Sequence, residues 1–136
     1  MARILVVANK TAESPELLEV LASRSAGNTF YLVVPASGGS GLEKAADPDA
    51  AVEHTKPHLD TALESLRGSG LDVDGTIGDT DPLAAVQDAL NFGKFDEVIV
   101  STLPARASKW LKMDLPTRVE RMSGLPVTHV ETKQKD

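Results

Sequence analysis

Short apolar runs alternate with amphipathic stretches along most of the chain. The first run, Ile4 to Ala8, is apolar at every position, as expected of a central parallel strand that is buried on both faces. Further strands are predicted at 29–35, within 71–77, at 97–100 and at 126–130. The stretches between them carry apolar residues three or four apart and predict helices. The order β-α-β-α-β-α-β-α-β predicts an α/β fold, a three-layer α/β/α sandwich with a five-stranded parallel sheet.

Local signals indicate where the helices begin. Ser14 and Asp81 each precede a proline, and a polar N-cap followed by Pro at the first helical position is typical of a helix start. The helix between them begins either at Asp47-Pro48 or at Thr55-Lys56-Pro57. Pro57 lacks an N–H and crowds the preceding turn, so we expect a kink or break there.

A fourth helix is predicted at 116–122, and glycines at 27, 68 or 70, and 93 are expected to end the first three. The apolar stripes expected to face the core are Leu17, Leu18 and Leu21, then Leu59, Leu63 and Leu66, then Leu83, Val86 and Leu90. The segment SKWLKM, which contains Trp110, is expected to form an amphipathic turn that closes over the core.

Length, charge and cysteine content restrict the class of protein. The 136 residues fit one domain, 1–136. A net charge of −6 argues against a nucleic-acid partner, which needs a basic face. The absence of cysteine excludes disulfides, thiolate metal sites and a cysteine nucleophile. The N-terminal apolar run is too short for a signal segment or a membrane span, so we expect a cytoplasmic protein without a membrane partner.

The polar segments that follow the first and fourth strands are the candidate ligand site. In an open parallel sheet, ligands bind beyond the carboxyl ends of the strands where the strand order reverses. Small donors and cations there suit an anion, although polar loops with solvated Lys and Arg are common. The candidate ligand-binding residues are Asn9, Lys10, Val34, Pro35, Ser101, Thr102, Arg106, Ser108 and Lys109.

Catalytic and metal-binding patterns are not found in the sequence. There is no P-loop and no GxGxxG after the first strand, and no Ser-His-Asp set can be named, so we expect no catalytic residues and no enzyme. His54 and His58 have helical ligand spacing, but Pro57 lies between them, and two exposed histidines are the simpler interpretation. The glycines and serines at 37–41 indicate a lid or a plain flexible loop. His129 is expected to be a core or interface residue.

Several segments together resemble the universal stress protein family over essentially the whole chain. The most specific are the G-D-x-x-P-x-x-A turn and helix, the strand D-E-V-I-V, and the closing G-L-P-V-x-H-V. The other matching segments are LVVANKTAESPEL, YLVVP and the continuation of the fourth strand, STLPARASKWL. The resemblance implies a Rossmann-like sheet in the order 3-2-1-4-5 with four helices, and a regulatory or stress-response role. It also implies a homodimer through the last strand, that is, through Pro126, Val127, Thr128, His129 and Val130.

The resemblance also has implications for nucleotide binding. Nucleotide-binding members have an Asp at the end of the first strand, where this chain has Asn9, and a glycine motif after the fourth strand. Ser101 and Pro104 stand at the first two glycine positions, and either Asp114-Leu115 or Pro116-Thr117 stands at the last pair. Pro104 removes an N–H, and Asp114 is expected to occupy the helix N–H groups itself. The resemblance therefore implies a protein that does not hold ATP tightly. The alternative is a sensor that binds ATP, AMP or another adenine nucleotide through the loop after strand four.

Overall fold

A computed structural model describes residues 2–36, 48–103 and 109–132. The predicted loop at 37–41 lies outside the described residues. The strands are β1 (Arg3–Val7), β2 (Thr29–Pro35), β3 (Val73–Gly78), β4 (Glu97–Thr102) and β5 (Val127–Glu131). The helices are α1 (Pro15–Ser23), α2 (Pro48–Gly68), α3 (Pro82–Phe92), the short α4 (Lys109–Lys112) and α5 (Leu115–Ser123). A 3₁₀ turn, Lys10–Glu13, follows β1.

The five strands form one parallel sheet in the order β3-β2-β1-β4-β5. This confirms the predicted three-layer fold and strand order. Side chains that alternate along β1 point to opposite faces. Ile4 and Val6 pack with α1 and α2, whereas Leu5 and Val7 pack with α3 and α5. The helices therefore lie in two pairs on the two faces of the sheet, and the sheet is the centre of the core.

Two helix starts form as their sequence signals predict. The Ser14 hydroxyl accepts a hydrogen bond from the Leu17 N–H at 3.1 Å, and the Asp81 carboxylate accepts one from the Leu83 N–H at 3.0 Å. Each bond satisfies an N–H that has no partner within its helix. Gly93 ends α3 as expected, but α1 ends at Ser23, before the predicted stop at Gly27.

The buried face of α3 is shifted from the predicted stripe. Leu83 and Leu90 are only partly buried, and the residues that pack fully are Pro82, Ala85, Val86 and Ala89. The small alanines bring α3 close to the sheet, which leaves the leucines at the margins of the contact.

A kink or a break was predicted at Pro57, and the break is wrong, because α2 runs from Pro48 to Gly68 with Pro57 inside it. Pro57 lies on the exposed side of the helix. Leu59, Leu63 and Leu66 pack into the core as predicted. We attribute the continuity of α2 to this buried stripe, because burying three leucines offsets the roughly 3 kcal/mol that an internal proline costs.

The fourth strand is longer than predicted. β4 continues through Ser101 and Thr102, which pair with Val130 and Glu131 of β5. The two hydroxyl residues therefore belong to the sheet and not to the loop beyond it. The prediction ended the strand at Val100 because Ser and Thr follow the apolar run there. Pairing with β5 overrides that local signal.

Within residues 2–36, 48–103 and 109–132, no helix combines the length and the apolar character needed to cross a membrane.

Candidate functional site

The carboxyl ends of β1 and β4 form the candidate site. From β1 the chain moves one way across the sheet through β2 and β3, and then crosses back so that β4 lies on the other side of β1. This is the point at which the strand order reverses, where open α/β sheets bind ligands. The residues that follow β1 and those that end β4 therefore meet at the carboxyl end of the sheet. This region is called the edge between β1 and β4.

On the β1 side, the backbone carbonyl oxygen of Asn9 accepts two hydrogen bonds. The Ala12 N–H donates to the Asn9 oxygen at 3.2 Å as the 3₁₀ turn begins. The same oxygen lies 2.6 Å from Nε2 of His58, which is 49 residues further along the chain on α2. Because a carbonyl oxygen only accepts, Nε2 of His58 carries the proton in this bond.

His58 does not match the interpretation of two exposed histidines. His54 is exposed, whereas His58 is partly buried, and its Nδ1 lies 3.7 Å from a carboxylate oxygen of Glu13. The helical period carries a signal for this difference. His58 follows the buried Thr55 by three positions and precedes the buried Ala62 by four, so it lies on the inward side of α2.

On the β4 side, Ser101 makes a second long-range contact. Its hydroxyl oxygen lies 2.6 Å from the hydroxyl oxygen of Thr11, 90 residues away, and forms a hydrogen bond with it. Ser101 is 1% exposed and Thr11 is 4% exposed. The candidate set omitted Thr11, although its position directly after the first strand was a usable signal. The two hydroxyls satisfy each other in the space between β1 and β4.

Thr102 points to the opposite face of the sheet from Ser101, because successive strand residues alternate. Its hydroxyl oxygen lies 2.7 Å from Nε2 of His129 on β5. Thr102 is buried, whereas His129 is exposed on an edge strand. The structure thus separates two adjacent candidate residues.

The remaining candidates are distributed around this edge. Val34 is fully buried in the α1 and α2 core cluster, and Pro35 is buried at the end of β2 beside Gly78. Lys10 begins the 3₁₀ turn and Lys109 begins α4. Arg106 and Ser108, like Pro104, lie outside the described residues.

Asp114 does not act as predicted. It occupies the N-cap position of α5 in the left-handed conformation, with φ of 57°, and its side chain makes no capping hydrogen bond. Asp114 is exposed. The first N–H groups of α5 are therefore not taken up by this carboxylate. Trp110 packs against the α3 and α5 core cluster, in agreement with a segment that closes over the core.

The described part of this edge consists mainly of hydrogen-bonding groups, with Lys10 at the start of the 3₁₀ turn and Lys109 at the start of α4. It offers an amide at Asn9, hydroxyls at Thr11 and Ser101, and a histidine that is bonded to a carbonyl. Among the described residues, no group of three or more His, Asp or Glu side chains could hold a metal ion. These groups suit hydrogen bonding to a polar ligand.

The fold and the position of this edge define the class as doubly wound and Rossmann-like. Comparison of the sequence with protein-family models and with curated proteins gives no match. Comparison of the structure does give matches, and several of them are universal stress proteins.

Three solved structures illustrate the likeness. A universal stress protein in complex with cAMP is 16% identical, with 96% of this chain and 97% of that chain covered and a TM-score of 0.63. One from Archaeoglobus fulgidus is 18% identical, with coverage of 96% and 93% and a TM-score of 0.63. One from Arabidopsis thaliana with AMP bound is 11% identical, with coverage of 97% and 92% and a TM-score of 0.60. The chain has the universal stress protein fold over nearly its whole length, which confirms the resemblance predicted from sequence at the level of the fold.

Proposed function

We propose that this chain is a regulatory protein of universal stress protein type that does not hold ATP tightly and acts through contacts with other proteins. The fold supports the type, and the chemistry of the edge between β1 and β4 supports the weak affinity for ATP.

The observation that carries the proposal is the buried hydrogen bond between Thr11 and Ser101. The resemblance places Ser101 at the first glycine position of the nucleotide-binding motif. A glycine there would leave backbone exposed for close approach of a phosphate. Ser101 is instead a strand residue, 1% exposed, whose hydroxyl is 2.6 Å from that of Thr11. A phosphate that displaced this bond would leave both hydroxyls to find new partners, at a cost of about 1–3 kcal/mol for each that failed.

A second candidate function is a sensor for an adenine nucleoside monophosphate. The structures that carry AMP and cAMP share the fold, and both ligands carry a single phosphate. Asn9 offers an amide that can donate to and accept from a base or a ribose. A ligand with one phosphate needs fewer phosphate contacts from the segment that replaces the glycines than ATP needs.

The two candidates are separated by ¹H–¹⁵N correlation spectra recorded during titration with AMP and, separately, with ATP. The regulatory proposal predicts no shifts that saturate at micromolar concentrations of ATP. The sensor predicts saturable shifts with AMP that include the amides of Asn9, Thr11 and Ser101. Saturable shifts with ATP at low micromolar concentration would contradict the regulatory proposal.

If AMP does bind, replacing Ser101, Arg106 and Lys109 together by Ala tests where it binds. We expect this variant to lose at least about tenfold in affinity, equivalent to about 1.4 kcal/mol. Glu53 and Glu64, which lie on the exposed side of α2, are suitable positions for a control variant. Unchanged affinity in the triple variant would exclude the proposed binding residues.

We further propose that the chain forms a homodimer through β5. This strand is an edge of the sheet, and Val127 and His129 lie along it. An edge strand with unpaired N–H and C=O groups favours pairing with a second strand.

A further inference from the structure

A groove of about 450 Å³ lies on the α3 side of the sheet, away from the edge between β1 and β4. Its floor is formed by β2 and β3 and one wall by α3. One end is closed by Arg3, the first residue of β1, and by Phe95, which lies two residues before β4. The groove exists because α3 and α5 are the helices of this face and α3 leaves the outer part of β3 uncovered.

The wall of the groove is a regular stripe on α3. Ala85, Asp88, Ala89 and Phe92 all line it, and their spacing of three and four places them on one side of the helix. The two alanines make the groove deep. Phe92 is the last residue of α3. It is 92% exposed, and its ring projects at the rim of the groove.

The end of the groove beside Phe92 is closed by packed side chains. The Arg3 guanidinium lies over the Phe95 ring, 4.5 Å from its centroid, and Phe95 is itself 6.1 Å from Tyr31. Gly93 allows this arrangement, because a Cβ on Gly93 would lie 2.4 Å from a guanidinium nitrogen of Arg3. The exposed ring of Phe92 therefore projects beside the end of the groove that Arg3, Tyr31 and Phe95 line.

The charges of the groove are unequal at its two ends. Arg3 and the exposed Lys94 lie at the Phe92 end, as does the Asp96 carboxylate, which accepts a hydrogen bond from the backbone N–H of Arg3 at 2.8 Å. Asp88 lies one helical turn before Phe92, and Asp79 lies at the far end. The cation Lys94 thus follows Phe92 in the chain, whereas the carboxylate of Asp88 precedes it by one helical turn.

We propose that this groove is an interface with a second copy of the chain, in which the two Phe92 rings insert side by side about a two-fold axis. An isologous interface needs one patch that complements itself. A projecting ring next to a groove meets this need for shape. For charge, an axis that passes near Phe92 sets Lys94 and Arg3 of one copy opposite Asp88 of the other.

This interface is separate from the proposed pairing through β5. The groove opens towards β3, and β5 is the opposite edge of the sheet. A chain that uses both surfaces assembles beyond a dimer. The inference does not depend on nucleotide binding.

A charge exchange between copies tests the proposal directly. In Asp88→Lys, two copies would face each other with lysines at 88 and 94, and in Lys94→Glu with acids at both positions. Neither variant should form the interface alone. A mixture of the two should form it, because each charge then meets its opposite. Native mass spectrometry and sedimentation at tens of micromolar concentration measure this as a doubling of mass on mixing.

Phe92→Asp provides the second arm of the test. Phe92 is exposed, so circular dichroism melting should show an intact fold, while the assembly loses one doubling of mass relative to wild type. Glu64→Lys, an exposed charge change on α2, is the matched control and should leave the mass unchanged. Equal masses for wild type and Phe92→Asp, or no change of mass on mixing the charge variants, would overturn the proposal. A small molecule carried by the wild type and lost in Phe92→Asp, without a change of assembly, would also overturn it and assign the groove to that ligand.

Discussion

Two hydrogen bonds between residues far apart in the chain determine the character of the edge between β1 and β4. One joins the hydroxyls of Thr11 and Ser101, and the other joins His58 to the carbonyl oxygen of Asn9. Both connect the segment after β1 to another element, β4 in the first case and α2 in the second. The edge is therefore internally satisfied, which leaves fewer polar groups free for a ligand.

Removing one hydroxyl of the buried pair should cost more than removing both. We expect Ser101→Ala to lower the free energy of unfolding by about 1–3 kcal/mol, because the Thr11 hydroxyl is left buried without its partner. The double variant Thr11→Val with Ser101→Ala should recover part of that loss. Urea denaturation measures both. A single variant within about 0.5 kcal/mol of wild type would show that water replaces the lost partner.

The bond from His58 predicts a local effect in the 3₁₀ turn. In His58→Ala, the Asn9 carbonyl loses one of its two hydrogen-bond donors, so the amides of Ala12 and Ser14 should exchange with solvent faster than in wild type. His54→Ala is the control on the same helix, since His54 is exposed, and should leave exchange unchanged. Hydrogen–deuterium exchange that is equal in both variants would contradict a positioning role for His58.

At the scale of elements, the positions of strands and helices followed from the sequence, whereas several of their ends did not. Ser14 and Asp81 marked helix starts because a cap acts through the N–H groups of its own first turn. Ser101 and Thr102 were assigned to a loop, because their place in β4 depends on β5, which lies distant in sequence. Pro57 shows the same limit, since the packing that keeps α2 continuous cannot be deduced from its neighbours alone.

The contact between β3 and α3 depends on Gly78. A Cβ at that position would lie 2.6 Å from the Cβ of Ala85 and 3.0 Å from a methyl group of Val33. We expect Gly78→Ala to destabilise the protein by about 1–3 kcal/mol through overpacking. Gly68→Ala is the matched control, because a Cβ there meets nothing within 4 Å. Thermal melting that is alike for the two variants would contradict the close approach of α3.

At the scale of the whole molecule, the alternation of strands and helices was enough to predict the class of fold. Alternation requires parallel strands with crossovers, which restricts the topology strongly. The candidate site was predictable only as a location. Ser101 and Thr102 lie at the predicted edge but face opposite sides of the sheet. Which side each residue faces depended on the length of β4, and the partners Thr11 and His129 depended on tertiary packing.

The proposed homodimer through β5 can be tested by cross-linking, since the chain has no cysteine of its own. We expect His129→Cys to form a covalent dimer on mild oxidation, because residues near a two-fold axis between paired strands approach their own copies. Glu64→Cys on the exposed side of α2 should stay uncross-linked under the same conditions. A monomer by sedimentation at micromolar concentration would contradict the dimer.

The central claim is that this chain has the universal stress protein fold while its edge between β1 and β4 does not hold ATP tightly. Calorimetric titration of the wild-type protein with ATP and magnesium tests it most directly. We predict no binding with a dissociation constant below about 100 µM, which corresponds to a free energy of about −5.5 kcal/mol. A dissociation constant in the low micromolar range would contradict the claim and show that the bond between Thr11 and Ser101 does not close the edge to phosphates.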